Sequence, residues 1–477
     1  MKKKLCPIIL IIAFVFSFFS ACGTTTEDVA KETNEPEKTY TDAGGYDFMF
    51  KVTKHGVNAP ELAPEVGFSN MGDKILQRYE EVEQTFNMVM TVEVIDGTNN
   101  NILASNMAGE KCADLMDTNA DTISSGKDEL FIAMNEGAYD IDFHSGKYGT
   151  EGQIDALTFG DKIYGVRNAY WGIPWPSFKG VLFFNPRLVK EASQPSPFEL
   201  LESKSWTWAN FEDMLLALTY PATADQEAKY GISITTSGIF PSCAVLSNGA
   251  APVYYDEGTA TYKYGLNDPK ALKALDWVQK LIKDDKSAFY INDWWEKGAI
   301  GLIKGTYAFC AENAWTGFME GTSHFATDME EAYGWAPFPC GPSGEYGKWA
   351  TEITNEKRYI GIPVTPDGEY DLVLEVMDYM FEPLPGETVD SWKTDLEKNF
   401  FYDDGGSFKY YLEMMESART DYSTVLKNGI RDQSKGVLFA YQRIISGVKT
   451  PIEMVEMVKP YVESEIDKYL NNPVPVE

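Results

Sequence analysis

Residues 46–95 read as strand, helix, strand, and that order restricts the fold more than any other stretch of the chain. Tyr46–Thr53 (YDFMFKVT) alternates and is rich in aromatics. Asp73–Asn87 then carries Ile75, Leu76, Tyr79, Val82 and Phe86 at helical spacing, and Met90–Ile95 is β-branched. Two strands joined through a helix lie parallel in one sheet, which points to an α/β protein. At 477 residues the chain exceeds what one hydrophobic core supports, so two or three domains are expected.

Further elements follow the same logic. Ala108–Met116 (AGEKCADLM) reads as a helix ending at glycine and then a short buried strand. Asp161–Val166 and Val181–Asn185 read as two more strands around a Trp- and Pro-rich loop. Helices start at Thr207, at Asp268 before Pro269, and at the capping box Thr450-Pro451-Ile452-Glu453. Their apolar stripes are Phe211, Met214, Leu215 and Leu218; Leu272, Leu275, Val278, Leu281 and Ile282; and Val455, Val458, Val462 and Ile466.

Charge and composition remove several classes of function. Acidic residues exceed basic ones by 31, so the long-range field repels phosphate backbones and anionic headgroups, and no nucleic-acid partner is expected. Only His55, His144 and His324 are present, with no HExxH and no Cys/His zinc spacing. No metal and no cofactor are expected.

Lys2–Lys4 and the apolar run Leu5–Phe19 form an export signal, too short for a stable membrane span. It ends in Phe19-Ser20-Ala21-Cys22-Gly23, which resembles the bacterial lipobox, so Cys22 is the expected lipidation site; a plain secretory signal is the alternative. Phe19 stands where leucine is usual. Residues 1–21 are then the signal peptide and 22–44 a flexible tether of Thr, Glu, Lys and Pro. The expected location is the outer face of the bacterial cytoplasmic membrane, held by lipid alone.

From residue 45 onward, AGEKCADLM, DKIYGV, GVLFFNPRLVKEA, WTWANF, KYGISI, LSNGAA, LNDPKALKALDWVQKLIKD, IGLIKGTYAFCAENAW, YGWAPFPCGPSG, YIGIPVT and ISGVKTPIEM occur in succession. In that order the chain resembles the extracellular solute-binding protein family 1, the maltose-binding-protein-like receptors of ABC importers. The resemblance implies a two-lobed, periplasmic-binding-protein-like α/β fold with hinge crossovers and a ligand cleft. It implies lobe one at 45–164 plus 356–404 and lobe two at 165–355 plus 405–477. It also implies a monomer that binds and releases a carbohydrate, expected to be an oligosaccharide, without covalent chemistry. The partners implied are the transmembrane subunits of an ABC permease.

A sugar face packs its C–H groups on aromatic rings, while its hydroxyls need carboxylates, amides or an Arg fork. Aromatics make up 14% of the chain. The loop Arg167–Pro176 holds Arg167, Trp171 and Trp175, and the resemblance places it at the cleft; a core role is the alternative for each ring. In Cys310–Trp315 the resemblance makes Trp315 a stacking ring, with Glu312 and Asn313 as hydroxyl partners or plain surface. Asp121 is a cleft carboxylate or a helix cap. Asn248 reaches ligand or serves a turn, and Trp295 stacks on ligand or packs a helix. Trp349 falls near a crossing and is left open. Cys112, Cys243, Cys310 and Cys340 have no spacing that fixes a pairing, and buried free thiols are equally compatible. Two other functions fit the composition: a receptor for a non-sugar solute such as a peptide or polyamine, and a secreted glycoside hydrolase with two spaced carboxyls.

Overall fold

This computed structural model describes residues 38–53, 62–67, 69–95, 99–168, 178–294, 296–318, 325, 329, 332–353, 359–366, 368–401, 406–420, 422–423 and 430–471. The chain up to Tyr40 forms a unit of its own, and every strand and helix named below belongs to the unit Thr41–Glu477. Its strands in chain order begin with β1 (Tyr46–Thr53), β2 (Met88–Ile95), β3 (Leu115–Thr118), β4 (Thr158–Phe159) and β5 (Lys162–Ile163). They continue with β6 (Phe178–Phe184), β7 (Tyr230–Thr235), β8 (Val253–Asp256), β9 (Thr261–Tyr264) and β10 (Ala288–Ile291). The last are β11 (Tyr307–Asn313), β12 (Gly334–Pro337), β13 (Glu352–Ile353), β14 (Tyr359–Gly361) and β15 (Arg419–Thr420).

The first sheet has the order β14-β3-β1-β2. β1 and β2 are parallel from Tyr46↔Met88 to Thr53↔Ile95, as the strand–helix–strand pattern requires. Phe48, Phe50 and Val52 turn one face of β1 wholly into the core. The connecting helix Asn70–Phe86 starts at Ser69, whose hydroxyl accepts the Gly72 N–H at 2.9 Å. It stops at Asn87, which takes the left-handed conformation with φ 49°. Its buried face holds Ile75, Tyr79, Val82 and Phe86. The buried Arg78 donates to the carbonyls of Tyr379, Glu382 and Pro383 at 3.0, 3.2 and 2.9 Å. Tyr379 lies in the last turn of the helix Tyr370–Met380 and the other two follow it, so Arg78 ties the first helix to the chain leaving that one.

The second sheet runs β10-β7-β11-β6-β13-β15, with β12 also on β6. β6 (FKGVLFF) is buried along its whole length and pairs antiparallel with β11, β12 and β13. A strand covered on both faces needs a continuous apolar run instead of an alternating one, and this one has it except at Lys179. Gly317 and Gly334 allow rings to close over the sheet: an added Cβ would lie 2.0 Å from Trp335 and 2.1 Å from Phe184, respectively. Trp349, left open by the sequence, is 3% exposed and donates to Glu413.

Some local expectations shift. Within Asp161–Val166 only Lys162–Ile163 is strand, hairpinned on β4, and Val166 instead forms a bridge to Ile360. β6 starts at Phe178, three residues before Val181. The three helices expected at Thr207, Asp268 and Thr450 are Trp208–Ala217, Pro269–Lys283 and Pro451–Ile466. Among the described residues the cysteines Cys112, Cys243, Cys310 and Cys340 are free thiols.

The chain passes between the sheets more than once. Val166 and Ile360 exchange N–H···O bonds at 3.0 and 2.7 Å, so the segments leading to β6 and from β13 run beside each other on the first sheet. A later return is marked by Phe400 against Phe318 (5.1 Å between ring centres) and Phe401 against Trp335 (5.0 Å). These rings pack residues 400–401 against elements of the second sheet. The helix Glu151–Asp155 sits directly on the strand that follows Ala418: a Cβ on Gly152 would come 1.7 Å from the Ala418 carbonyl oxygen. Gly152→Ala is therefore expected to lower stability by about 1–3 kcal/mol through overpacking. Urea unfolding checks this, and an unchanged midpoint would mean the helix is not seated there.

Candidate functional site

The ends of the two sheets that meet the crossing segments carry the polar side chains. On the second sheet, Asn313 at the end of β11 lies opposite Lys179 at the start of β6, and Lys179 lies opposite Glu352 of β13. Lys179 Nζ and Glu352 Oε2 are 2.7 Å apart with both side chains buried, and the Ser242 hydroxyl donates to the same carboxylate oxygen at 2.9 Å. Beyond β7, Thr235 and Ser237 share a hydroxyl contact of 2.9 Å, and Arg431 donates to the Ser237 carbonyl at 3.0 Å. Lys179, Ser237, Ser242, Ser423, Arg431 and Tyr441 line one hollow at this edge.

Trp315 belongs to the same edge. A register shift between Glu312 and Asn313 ends the ladder with β6, and the chain enters the 3-10 turn Ala314–Gly317. Ala314 and Thr316 are wholly buried and Gly317 is wedged against Trp335, which fixes the turn. Asn313, just before these anchors, and Trp315, between Ala314 and Thr316, stay partly exposed. A partly exposed indole on a fixed backbone is the kind of surface a sugar face packs against, because little conformational entropy is lost on binding.

On the first sheet, Thr118 at the end of β3 lies opposite Tyr359 at the start of β14. The chain then enters the helix Ala120–Ser125, which carries Asp121 in its first turn at 8% exposure. Arg167 lies in the segment that leaves this sheet, 5% exposed, with its guanidinium 5.8 Å from the centre of the Tyr359 ring. Burial pushes the phenols of Tyr359 and Tyr411 up, and the Arg167 charge opposes that push in both.

One sequence expectation is corrected, and for Asn248 the second of its two readings holds. Glu312 is 1% exposed; instead of facing the cleft it lies inside the second lobe, near Ser233 and beneath Gly298 of the helix Glu296–Ile303. Burial raises its carboxyl from 4.5 to about 8, a shift only partly offset by the N–H of Asn313. Its Oε2 has no hydrogen-bond partner among the described residues. Asn248 is also spent inside the lobe: its amide donates to the Lys270 carbonyl at 2.8 Å and accepts from the Ser343 N–H at 2.9 Å. That clamps the end of the helix Ile239–Ser247 to the helix Pro269–Lys283. Trp171, Trp175, Trp295 and Cys22 lie outside the described residues. Sequence reasoning missed Lys179, Glu352 and Arg431. The signal for the first was a lone lysine inside an apolar strand run.

No family model and no curated protein sequence matches this chain. Solved structures do match. The sugar-binding protein MalE of Xanthomonas citri is similar at 14% identity over 88% of this chain and 98% of its own, with a TM-score of 0.58. The chain has the two-lobed solute-binding-protein fold. The ABC substrate-binding protein Lmo0181 of Listeria monocytogenes, solved with cycloalternan, matches at 15% identity, 88% and 98% coverage and a TM-score of 0.52. UgpB of Mycobacterium tuberculosis, solved with glycerophosphocholine, matches at 14% identity, 89% and 99% coverage and a TM-score of 0.53.

The buried carboxyl of Glu312 generates a prediction. A carboxyl whose folded pKa is raised contributes stability that is fully present below about pH 4.5 and is lost as pH rises through about 8. Glu312→Gln removes that dependence. The stability of the variant relative to wild type is expected to improve with pH across this window, by at most about 1.4 kcal/mol per pH unit. Chemical unfolding at a series of pH values measures it, and a constant difference would show a Glu312 that is not desolvated.

Proposed function

We propose that this protein is the substrate-binding lipoprotein of an ABC importer, capturing a carbohydrate, expected to be an oligosaccharide, between its lobes and delivering it to a membrane permease. The observation that carries the reading is Trp315: a partly exposed ring on a rigid turn, at the sheet edge where the chain crosses between lobes. Beside it, Asn313 is partly exposed and Lys179, Ser237 and Arg431 line or border a polar hollow, which suits a ligand rich in hydroxyls. The fold supports it as well, since MalE is a sugar-binding protein and Lmo0181 was solved with a cyclic saccharide.

In this reading the protein does no covalent chemistry. Glu352 is committed to Lys179 and Ser242 instead of standing opposite a second carboxyl. Closure of the lobes on the ligand supplies the signal to the permease. The sequence around Cys22 supports a lipid anchor on the outer face of the cytoplasmic membrane. A receptor for a non-sugar solute is the second reading, favoured by the likeness to UgpB, which was solved with glycerophosphocholine.

A thermal-shift panel of mono- and oligosaccharides, with glycerophosphocholine and polyamines included, separates the two readings, because a ligand bound only by the native state raises the midpoint. For the ligand found, Trp315→Ala is expected to weaken binding by roughly 1–3 kcal/mol in calorimetry. Its unliganded stability is expected to fall by much less than the ~3–5 kcal/mol lost on truncating a core tryptophan such as Trp335. Unchanged affinity with a large loss of stability would remove Trp315 from the site. Cys22→Ala is expected to abolish fatty-acid labelling, and equal labelling of both proteins would overturn the lipid anchor.

A further inference from the structure

The strands β7 and β11 run side by side in the same direction from Tyr230↔Tyr307, and they finish at the polar edge that carries Thr235, Asn313 and Trp315. Their starting ends lie at the other end of the sheet. The seven residues of β11, rising about 3.3 Å each, put that end roughly 20 Å from the polar edge. A cavity of about 190 Å³ opens there. Its floor is apolar, made by the buried Leu188, Leu218 and Ala308.

Two tyrosines border the space. Tyr220 is 47% exposed, yet its backbone is held, because it exchanges N–H···O bonds with Lys229 at 2.9 Å each way and so closes the loop 221–228. Tyr230 begins β7 and is partly exposed. Phe289 of the edge strand β10 lies against it with 4.7 Å between ring centres, and is itself 39% exposed. Rings on fixed backbone beside a hollow give C–H groups a packing surface at small entropic cost.

The polar lining selects the kind of molecule. Gln226, Glu227 and Lys229 come from the closed loop and its end, and Glu191 from the helix Pro186–Glu191. Glu191 is paired with Arg187 at 2.8 Å. With Arg187 just behind the lining, two carboxylates and two cations border the space. An anion meets both carboxylates and a polyamine meets both cations, so neither sign of charge is favoured. A neutral molecule with many hydroxyls uses the whole set, donating to carboxylate or amide oxygens and accepting from Lys229. The volume falls below the roughly 300–1,000 Å³ of sites that enclose drug-sized ligands, which leaves room for a single ring.

We propose that this cavity is a second saccharide site, taking one neutral hexopyranose unit with its C–H face on the tyrosine wall and its hydroxyls on Gln226, Glu227 and Lys229. Every lining residue falls between 188 and 308, within the second lobe, so occupancy needs no lobe closure. The inference rests on this lining alone and stands whether or not the cleft takes a sugar. Its consequence is a receptor that holds a saccharide weakly at the far end of one lobe while the cleft is still open.

The probes are the methyl α- and β-glycosides of glucose, galactose and mannose, each titrated into the full mature chain and followed by saturation-transfer NMR. At least one is expected to bind saturably with a Kd on the order of 1–10 mM, as fits so small a ligand. Tyr220→Ala is expected to weaken that binding about three- to tenfold, the worth of one aromatic contact. Thr306 is a partly exposed member of the lining, and Thr306→Trp, which fills the space, is expected to abolish binding. Trp315→Ala is expected to leave it unchanged. Tyr220→Ala keeps the test decisive if Thr306→Trp fails to fold, because the bonds that hold Tyr220 are made by its backbone. The proposal is overturned if none of the glycosides binds saturably, as in a cavity that holds water only, or if both cavity variants bind as wild type does. It is also overturned if Trp315→Ala alone abolishes binding, which would locate the probe in the cleft. Glucosamine or glucose 6-phosphate binding more tightly here than every neutral glycoside would overturn the neutral class. Calorimetry on Trp315→Ala tests the cleft separately, so either reading can fail without the other.

Discussion

The buried pair Lys179–Glu352 ties together most of what surrounds it. Each charge loses several kcal/mol of hydration on burial, and only close geometry with further hydrogen bonds returns that cost. Here the pair is 2.7 Å apart, and the Ser242 hydroxyl adds a third contact on the carboxylate. Because the two residues are directly opposed, the pair sets the register of β13 on β6 at the point where the chain enters and leaves the second sheet. The same Lys179 stands opposite Asn313, so the bulge and turn that hold Trp315 are referenced to it. Removing one partner alone would strand the other charge in the interior, a loss of about 3–5 kcal/mol.

Elements whose signal is local were legible in the sequence. The helix Asn70–Phe86 has its apolar stripe, its Ser69 cap and its left-handed Asn87 all within a few residues, and Pro269 and Pro451 mark helix starts in the same way. The ends of strands were less legible. β6 begins at Phe178 because it is pinned by β13, more than 150 residues later in the chain, and no local pattern reports a distant partner. Asp161–Val166 alternates like a strand, yet the chain turns at Gly160–Asp161 to make a hairpin and spends Val166 on a bridge to Ile360.

The same distinction governs the site. Trp315 was singled out through the family resemblance and not by a local pattern, and its ring stays partly exposed just past the end of β11. Glu312 was not legible, because β11 is covered on both faces and an alternating exposed side, which would have told inside from outside, is missing. Asn248 carried two readings in the sequence, and the simpler one, a residue that serves a turn and a helix end, is the one the structure holds. Lys179, Glu352 and Arg431 come from three separate segments, and only the folded sheet makes them neighbours.

The order of strands in the first sheet also bears on how the chain must be made. β3 is an interior strand only because β14, from residues 359–361, lies beside it; β1 and β2 alone leave its other edge bare. During synthesis the whole second sheet through β13 emerges before that edge can be covered. Until then the first lobe offers a ready-made template for any extended segment, including that of another nascent chain. Closing so long a loop is entropically slow, so this sheet is the late step of folding and the one most in need of protection from aggregation.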